Sequence, residues 1–265
     1  MMLYSEKLKL FTSAHSCENI TVDGARYRYI LEGKEGGKTL VLLNGGMNTL
    51  EMWMDYVDGL NSDYRVLLFD YPEELRTNQE LVTGMHAFFG KLGIENPIFI
   101  GASDGGMVLI STGGMDEATL KSLKRKYRLA PLMLWYMKHC NYEKLKPTLI
   151  KAGMSHIRNE SSEEIAYAQD MFETIFKDYK QEKDVHISGL LADLMKQTPV
   201  TAADFASLKG KILLILPDED FFSGKMQADL IRLMHKPKIS YVSGGHLSTV
   251  LKADEYIRVI REFLG

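Results

Sequence analysis

Up to about Tyr71 the hydrophobic positions fall into short runs divided by turn residues. The pattern predicts strands over Asn19–Val22, Arg26–Leu31, Thr39–Leu43 and Arg65–Phe69, with turns at Asp23-Gly24 and Gly33–Gly37. The last two strands contain the continuous apolar runs Leu40-Val41-Leu42-Leu43 and Val66-Leu67-Leu68-Phe69. Such runs suit parallel strands covered on both faces. Between and after them the period changes: Leu50, Trp53, Met54 and Val57, then Leu81, Met85, Phe88 and Leu92, recur at helical spacing. Thr77 and Glu80 form a capping box in front of the second of these helices. Pro97 opens a further buried strand, Ile98–Ile100. Alternating strands and helices predict an α/β fold built on a mainly parallel sheet with helices on both faces.

From about Met115 to Phe205 the pattern is helical only. Leu129–Met137 is strongly apolar, and Ile165, Ala168, Phe172, Ile175, Phe176 and Tyr179 keep one face. The strand pattern resumes with Ile212–Leu216, then a helix near Met226–Met234, a strand over Ile239–Val242 and a closing helix through Ile257, Ile260 and Leu264. The expected organisation is a core made of 1–114 and 206–265, interrupted by a helical insertion over 115–205.

Composition narrows the classes of function. A chain of 265 residues with 45% hydrophobic and 25% charged content can bury a large core. Its formal charge of -3 comes from interspersed signs. This predicts no basic field of the kind that draws nucleic acid or an anionic membrane, and a small neutral partner fits better. Neither a signal peptide nor a span long enough for a bilayer is legible. Two distant cysteines, Cys17 and Cys140, are too few for a disulfide framework or a Cys-rich metal site. Free thiols and a cytoplasmic location are expected, with a homodimer left open.

The strongest chemical signal is Gly101-Ala102-Ser103-Asp104-Gly105-Gly106, directly after the strand Ile98–Ile100. With Gly at 22 of 265 residues, chance supplies G-x-S-x-G only about 0.1 times in such a chain. A sharp strand-to-helix turn also needs small neighbours around a serine whose hydroxyl is pushed out of the sheet. A serine hydroxyl is a weak nucleophile and needs a base held by an acid. Both follow in order: Asp220 lies beyond Ile212–Leu216, and His246 follows the strand Ile239–Val242 in Ser243-Gly244-Gly245-His246. His15, His86, His139, His156, His186 and His235 have no catalytic or metal spacing and read as structural or surface residues. Gly37-Lys38-Thr39 lacks the first glycine of a phosphate loop and precedes a strand, so it reads as a hairpin turn. Met133, Met137, Met154, Met171 and Met195 in the insertion suit either an adaptable apolar pocket or core packing.

Strand plus G-x-S-x-G-G, late strand plus Asp, and final strand plus Gly-Gly-His resemble the α/β-hydrolase superfamily over essentially the whole chain. The resemblance implies a capped serine hydrolase with Ser103 as nucleophile, His246 as base and Asp220 as acid, acting on a small, mostly apolar acyl substrate without a cofactor or metal. Asn44-Gly45-Gly46 stands at the superfamily's oxyanion loop, with Asn44 in place of the usual histidine, and the resemblance points the amides of Gly46 and Asp104 at the oxyanion. The helical insertion corresponds to the cap. Esterase, carbon-carbon bond hydrolase, thioesterase, aminopeptidase and lactonase chemistry all use this machinery, and a non-catalytic ligand-binding member of the fold is the alternative. Asp218 and Asp116 are competing acids, Asp218 also suiting a turn beside Pro217, where relatives often have Gly. One departure stands out: relatives place a long helix and then a strand after the elbow, and Met107–Ile110 is too short for both. Either the region is rebuilt or the chain lacks a segment of the native protein.

Overall fold

The computed structural model describes residues 2–102, 108–110, 116–157, 160–220, 222 and 224–265. Among these residues eight strands form one sheet: β1 (Glu18–Val22), β2 (Ala25–Gly33), β3 (Thr39–Leu43), β4 (Arg65–Phe69), β5 (Ile98–Ala102), β6 (Val108–Ile110), β7 (Leu213–Pro217) and β8 (Lys238–Val242). Their spatial order is β1-β2-β4-β3-β5-β6-β7-β8. β1 and β2 run antiparallel, as do β2 and β4, and the remaining neighbours are parallel. The helices are α1 (Tyr4–Ala14), α2 (Met54–Leu60), α3 (Asn78–Lys91), α4 (Glu117–Lys126), α5 (Ala130–His139), α6 (Tyr142–Met154), α7 (Ser162–Asp178), α8 (Gln181–Leu194), α9 (Gly224–Leu233), α10 (Ser248–Leu251) and α11 (Ala253–Leu264).

Alternation along the central strands divides the core between the two faces of the sheet. Leu40, Leu42, Val66 and Leu68 pack with α2 and α11 residues such as Val57 and Ile260. Val41, Leu43, Leu67 and Phe69 face Phe88 and Phe89 of α3. On β7, Leu213 and Ile215 join the first cluster, whereas Leu214 and Leu216 meet Leu230 of α9. The predicted capping box is present: Thr77 Oγ1 accepts from the Glu80 amide, and the Glu80 carboxylate accepts from the Thr77 amide.

Three sequence expectations change. Helix α1 precedes the strands; its signal is Tyr4, Leu8 and Phe11 at helical spacing, turned onto the core, with Tyr4 edge-on to Tyr167 of α7. The turn at Lys34–Gly37 is tight, with the Gly37 amide donating to the Lys34 carbonyl, but it is not a hairpin turn. β2 and β3 both pair with β4, which lies between them. The stretch after Ser103 supplies a strand: β6 pairs in parallel with β5 and with β7. Five residues, 103–107, separate β5 from β6, where a parallel crossover ordinarily takes a dozen or more.

Between β6 and β7 the described residues form α4–α8 and a 3₁₀ segment, Ala202–Leu208. These helices do not all build a core of their own. Ala168, Met171 and Phe172 of α7 belong to the same buried cluster as the sheet residues, and Ile187 and Leu190 of α8 pack on Leu81 of α3. Among the described residues no helix is long and apolar enough to cross a membrane, and Cys17 and Cys140 are free.

Candidate active site

The site lies at the carboxyl ends of β3, β7 and β8, where open parallel sheets present their loops to ligands. β8 ends at Val242, and the chain turns through Gly244 at φ +112°, a conformation that L side chains rarely adopt. A Cβ there would meet the Glu160 carboxylate at 2.6 Å. The loop after β7 is stitched to this turn by main-chain bonds: the Asp218 amide donates to the Val242 carbonyl and the Glu219 amide to the Gly244 carbonyl. Asp218 Oδ1 accepts from the Gly244 amide at 2.8 Å. Asp218 therefore serves the turn, and the carboxylate two residues on, Asp220, is delivered to the imidazole. Asp220 Oδ1 lies 3.1 Å from His246 Nδ1, the separation of an imidazole N–H donating to a carboxylate.

The Asp220 side chain is fully buried and the imidazole is about one-fifth exposed, which leaves one partner shielded and the other open to the cavity. Phe222 sets its ring edge-on to His246, 5.8 Å between centroids. Behind the histidine, Ser248 Oγ donates to the Gly245 carbonyl at 2.6 Å and lies 2.6 Å from the Tyr256 hydroxyl, tying the loop to α11. Asp116, the outlying candidate acid, caps α4 by accepting from the Thr119 amide at 2.9 Å. Ser103 and Asp104 lie outside the described residues.

The loop after β3 is held by a network of side-chain hydrogen bonds. Asn44 is buried; its Nδ2 donates to the Phe69 carbonyl and its Oδ1 accepts from the Trp53 indole. Its carbonyl accepts from the Tyr71 hydroxyl at 2.7 Å. Asn48, at φ +42°, exchanges hydrogen bonds with the Tyr71 main chain through both side-chain atoms. Every polar atom of the Asn44 side chain is thus satisfied, and Gly46 is left exposed at the loop's tip. From the insertion, Tyr179 at the end of α7 donates to the Met47 carbonyl at 2.8 Å. Burial pushes the Tyr179 hydroxyl pKa well up, with Asp184 adding to it, so the group stays protonated and remains a donor.

A cavity of about 340 Å³ opens between these loops, with Gly46 and His246 both on its wall. Met47, Met52, Trp53 and Phe172 supply its apolar lining. Sequence reasoning missed His156, which also lines it; the residue ends the α6 region, and no spacing signal ties it to the rest of the site. Of the methionines singled out in the insertion, Met171 is core and Met133 is exposed, and none of the five lines this cavity. His186 and His235 contact the Leu75 and Ala202 carbonyls as structural residues. Among the described residues no His, Cys, Asp or Glu group is gathered as metal ligands.

Neither a family model nor a curated protein matches the sequence. Solved structures do match in fold. An enol-lactonase from Burkholderia xenovorans LB400 aligns with TM-score 0.72 at 15% identity, covering 93% of this chain and 99% of its own. The chain has the α/β-hydrolase fold. A hydrolase from Pseudomonas aeruginosa PA01 aligns with TM-score 0.70 at 17% identity over 94% of this chain and 98% of its own. Naproxen esterase from Bacillus subtilis aligns with TM-score 0.62 at 16% identity over 99% and 97%. Within the α/β-hydrolase fold, the loops after β3, β7 and β8 are those that carry Gly46, Asp220 and His246 here.

Proposed function

We propose that the protein is a serine hydrolase that cleaves a small, mostly apolar ester. Ser103 Oγ attacks the acyl carbon while His246 Nε2 takes its proton. Collapse of the tetrahedral intermediate expels the alcohol, which receives that proton, and leaves an acyl-enzyme. Water, deprotonated by the same imidazole, then releases the acid and restores Ser103. Asp220 holds the imidazole tautomer and stabilises the imidazolium. The amides of Gly46 and Asp104 stabilise the oxyanion, each such donor being worth about 3 kcal/mol in comparable sites. Helices α4–α8 act as the cap that shapes the pocket. The observation that carries this reading is the Asp220–His246 pair at 3.1 Å, with the imidazole and Gly46 on one apolar-lined cavity. That solved neighbours include a lactonase and an esterase supports ester-type substrates.

The five-residue interval between β5 and β6 favours a second reading: a ligand-binding member of the fold with a slow or vestigial triad, because catalysis tolerates little misplacement. A fluorophosphonate probe and p-nitrophenyl butyrate separate the two. The hydrolase reading expects a covalent adduct at Ser103 and turnover that Ser103→Ala abolishes. A folded protein with no adduct and no turnover overturns it.

A further inference from the structure

Among the described residues helix α5 carries large apolar side chains on an exposed side. Ala130, Leu134 and Met137 are half-buried, on the side where α5 lies against α8; the Gln181 side chain from α8 reaches the Cys140 carbonyl. Leu129, Leu132, Met133 and Tyr136 form the opposite stripe at i, i+3, i+4 and i+7, flanked by Trp135, and each is 55–61% exposed. Five large apolar side chains held outward, four on this short helix and Leu129 at its N-cap, lie close enough in sequence and phase to form one patch, unlike the scattered exposed residues usual on a monomer.

The charge around the patch identifies what it suits. Between 118 and 142 the chain contains Lys121, Lys124, Arg125, Lys126, Arg128 and Lys138 and no Asp or Glu, although the whole chain carries -3. All six are exposed. Three of them form the last turn of α4, joined to α5 by the turn in which the Ala130 amide donates to the Tyr127 carbonyl. The sum over the whole chain conceals this concentration.

We propose that the α4–α5 face docks the protein on the surface of an anionic lipid bilayer. Leu132, Met133, Trp135 and Tyr136 enter the headgroup–acyl boundary while the lysines and arginines stay among anionic headgroups. Apolar and aromatic side chains beside a basic cluster are what an interfacial helix requires, and neither feature alone suffices. A second copy of the chain is a poorer occupant, since a twofold contact sets this basic cluster against itself. Nucleic acid would neutralise the cations but leave the Leu and Met side chains in water.

The test uses the full chain, vesicles of phosphatidylcholine alone and vesicles with 30% phosphatidylglycerol. Expected are at least tenfold tighter binding to the anionic vesicles, weakening as salt is raised, and a blue shift of Trp135 emission on binding. Trp53, the other tryptophan, is already buried, and Trp135→Phe should abolish the shift. Lys124→Glu/Arg125→Glu/Lys126→Glu and, separately, Leu132→Ser/Trp135→Ser should each reduce binding at least tenfold while thermal stability stays within a few degrees. The proposal is overturned by no binding, by equal binding to both vesicle types, by binding that both variants retain, by a micromolar dimer that buries the patch, or by tighter binding to duplex or single-stranded DNA than to the anionic vesicles. Vesicle binding is read without substrate, so its failure leaves the hydrolase reading untouched.

Discussion

Asp220 reaches His246 because its two predecessors are already engaged. The amides of Asp218 and Glu219 and the Asp218 carboxylate are all spent on the turn after β8, which fixes the direction in which the third residue points. The sequence carried this site on strand ends and glycines, and it could place Asp220 by spacing but could not separate it from Asp116 and Asp218 without those bonds. His156 stayed hidden because the approach of the α6 end to the cavity is a tertiary event. Asp220→Asn should lower kcat on p-nitrophenyl butyrate by up to ~10⁴-fold, while Asp116→Asn, which keeps its helix cap, leaves kcat within about twofold. Steady-state kinetics with Ser103→Ala as the floor decides the assignment. A second residue-scale effect lies at His15, whose Nδ1 and Nε2 sit 2.5 Å from Glu32 and 2.8 Å from Asp58. Burial alone would lower its pKa, but the contacts with the two carboxylates outweigh burial and raise it. A raised folded-state pKa stabilises the fold below the unfolded value, ~6.5, and that contribution fades as pH rises through the folded value. Melting temperatures from pH 6 to 9 should therefore fall less steeply for His15→Gln than for the native chain.

Elements were legible where one periodicity ran long enough. β3 and β4 could be drawn with their observed bounds because both faces are buried and the runs are uninterrupted. β6 could not: Val108-Leu109-Ile110 is three residues long, too short to distinguish from a fragment of anything else. The hairpin reading of Gly37-Lys38-Thr39 failed for another reason, since no local pattern reveals that β4 will lie between β2 and β3. The glycine that ends β2 does carry a local demand. Gly33 has φ +105°, and a Cβ would lie 2.2 Å from the Tyr64 carbonyl oxygen. Both strain and a main-chain clash oppose a side chain, so Gly33→Ala should cost about 2–4 kcal/mol. Urea unfolding measures it, and a loss below about 0.5 kcal/mol contradicts the argument.

At the scale of the molecule, the helices between β6 and β7 are fused to the sheet by α7 and anchored to the β3 loop through Tyr179, while α5 faces outward. Rigid attachment beside the cavity and free surface away from it would let one insertion shape a pocket and meet a lipid surface. The sheet itself has a narrow waist. Among the described residues β6 is the strand that joins the five strands β1–β5 to the pair β7–β8, and its described register with each side is three residues. Ser103 follows the strand on one side of that waist, and Asp220 and His246 follow those on the other. Among the described residues few strand pairs span it, so the β7–β8 half with α9 should open as a cooperative unit before the rest. Native-state hydrogen exchange should then give amides of β7 and β8 a common opening free energy below that of β3 and β4; a single shared value across all four strands would mean that packing, not strand pairing, holds the two halves of the proposed site in register.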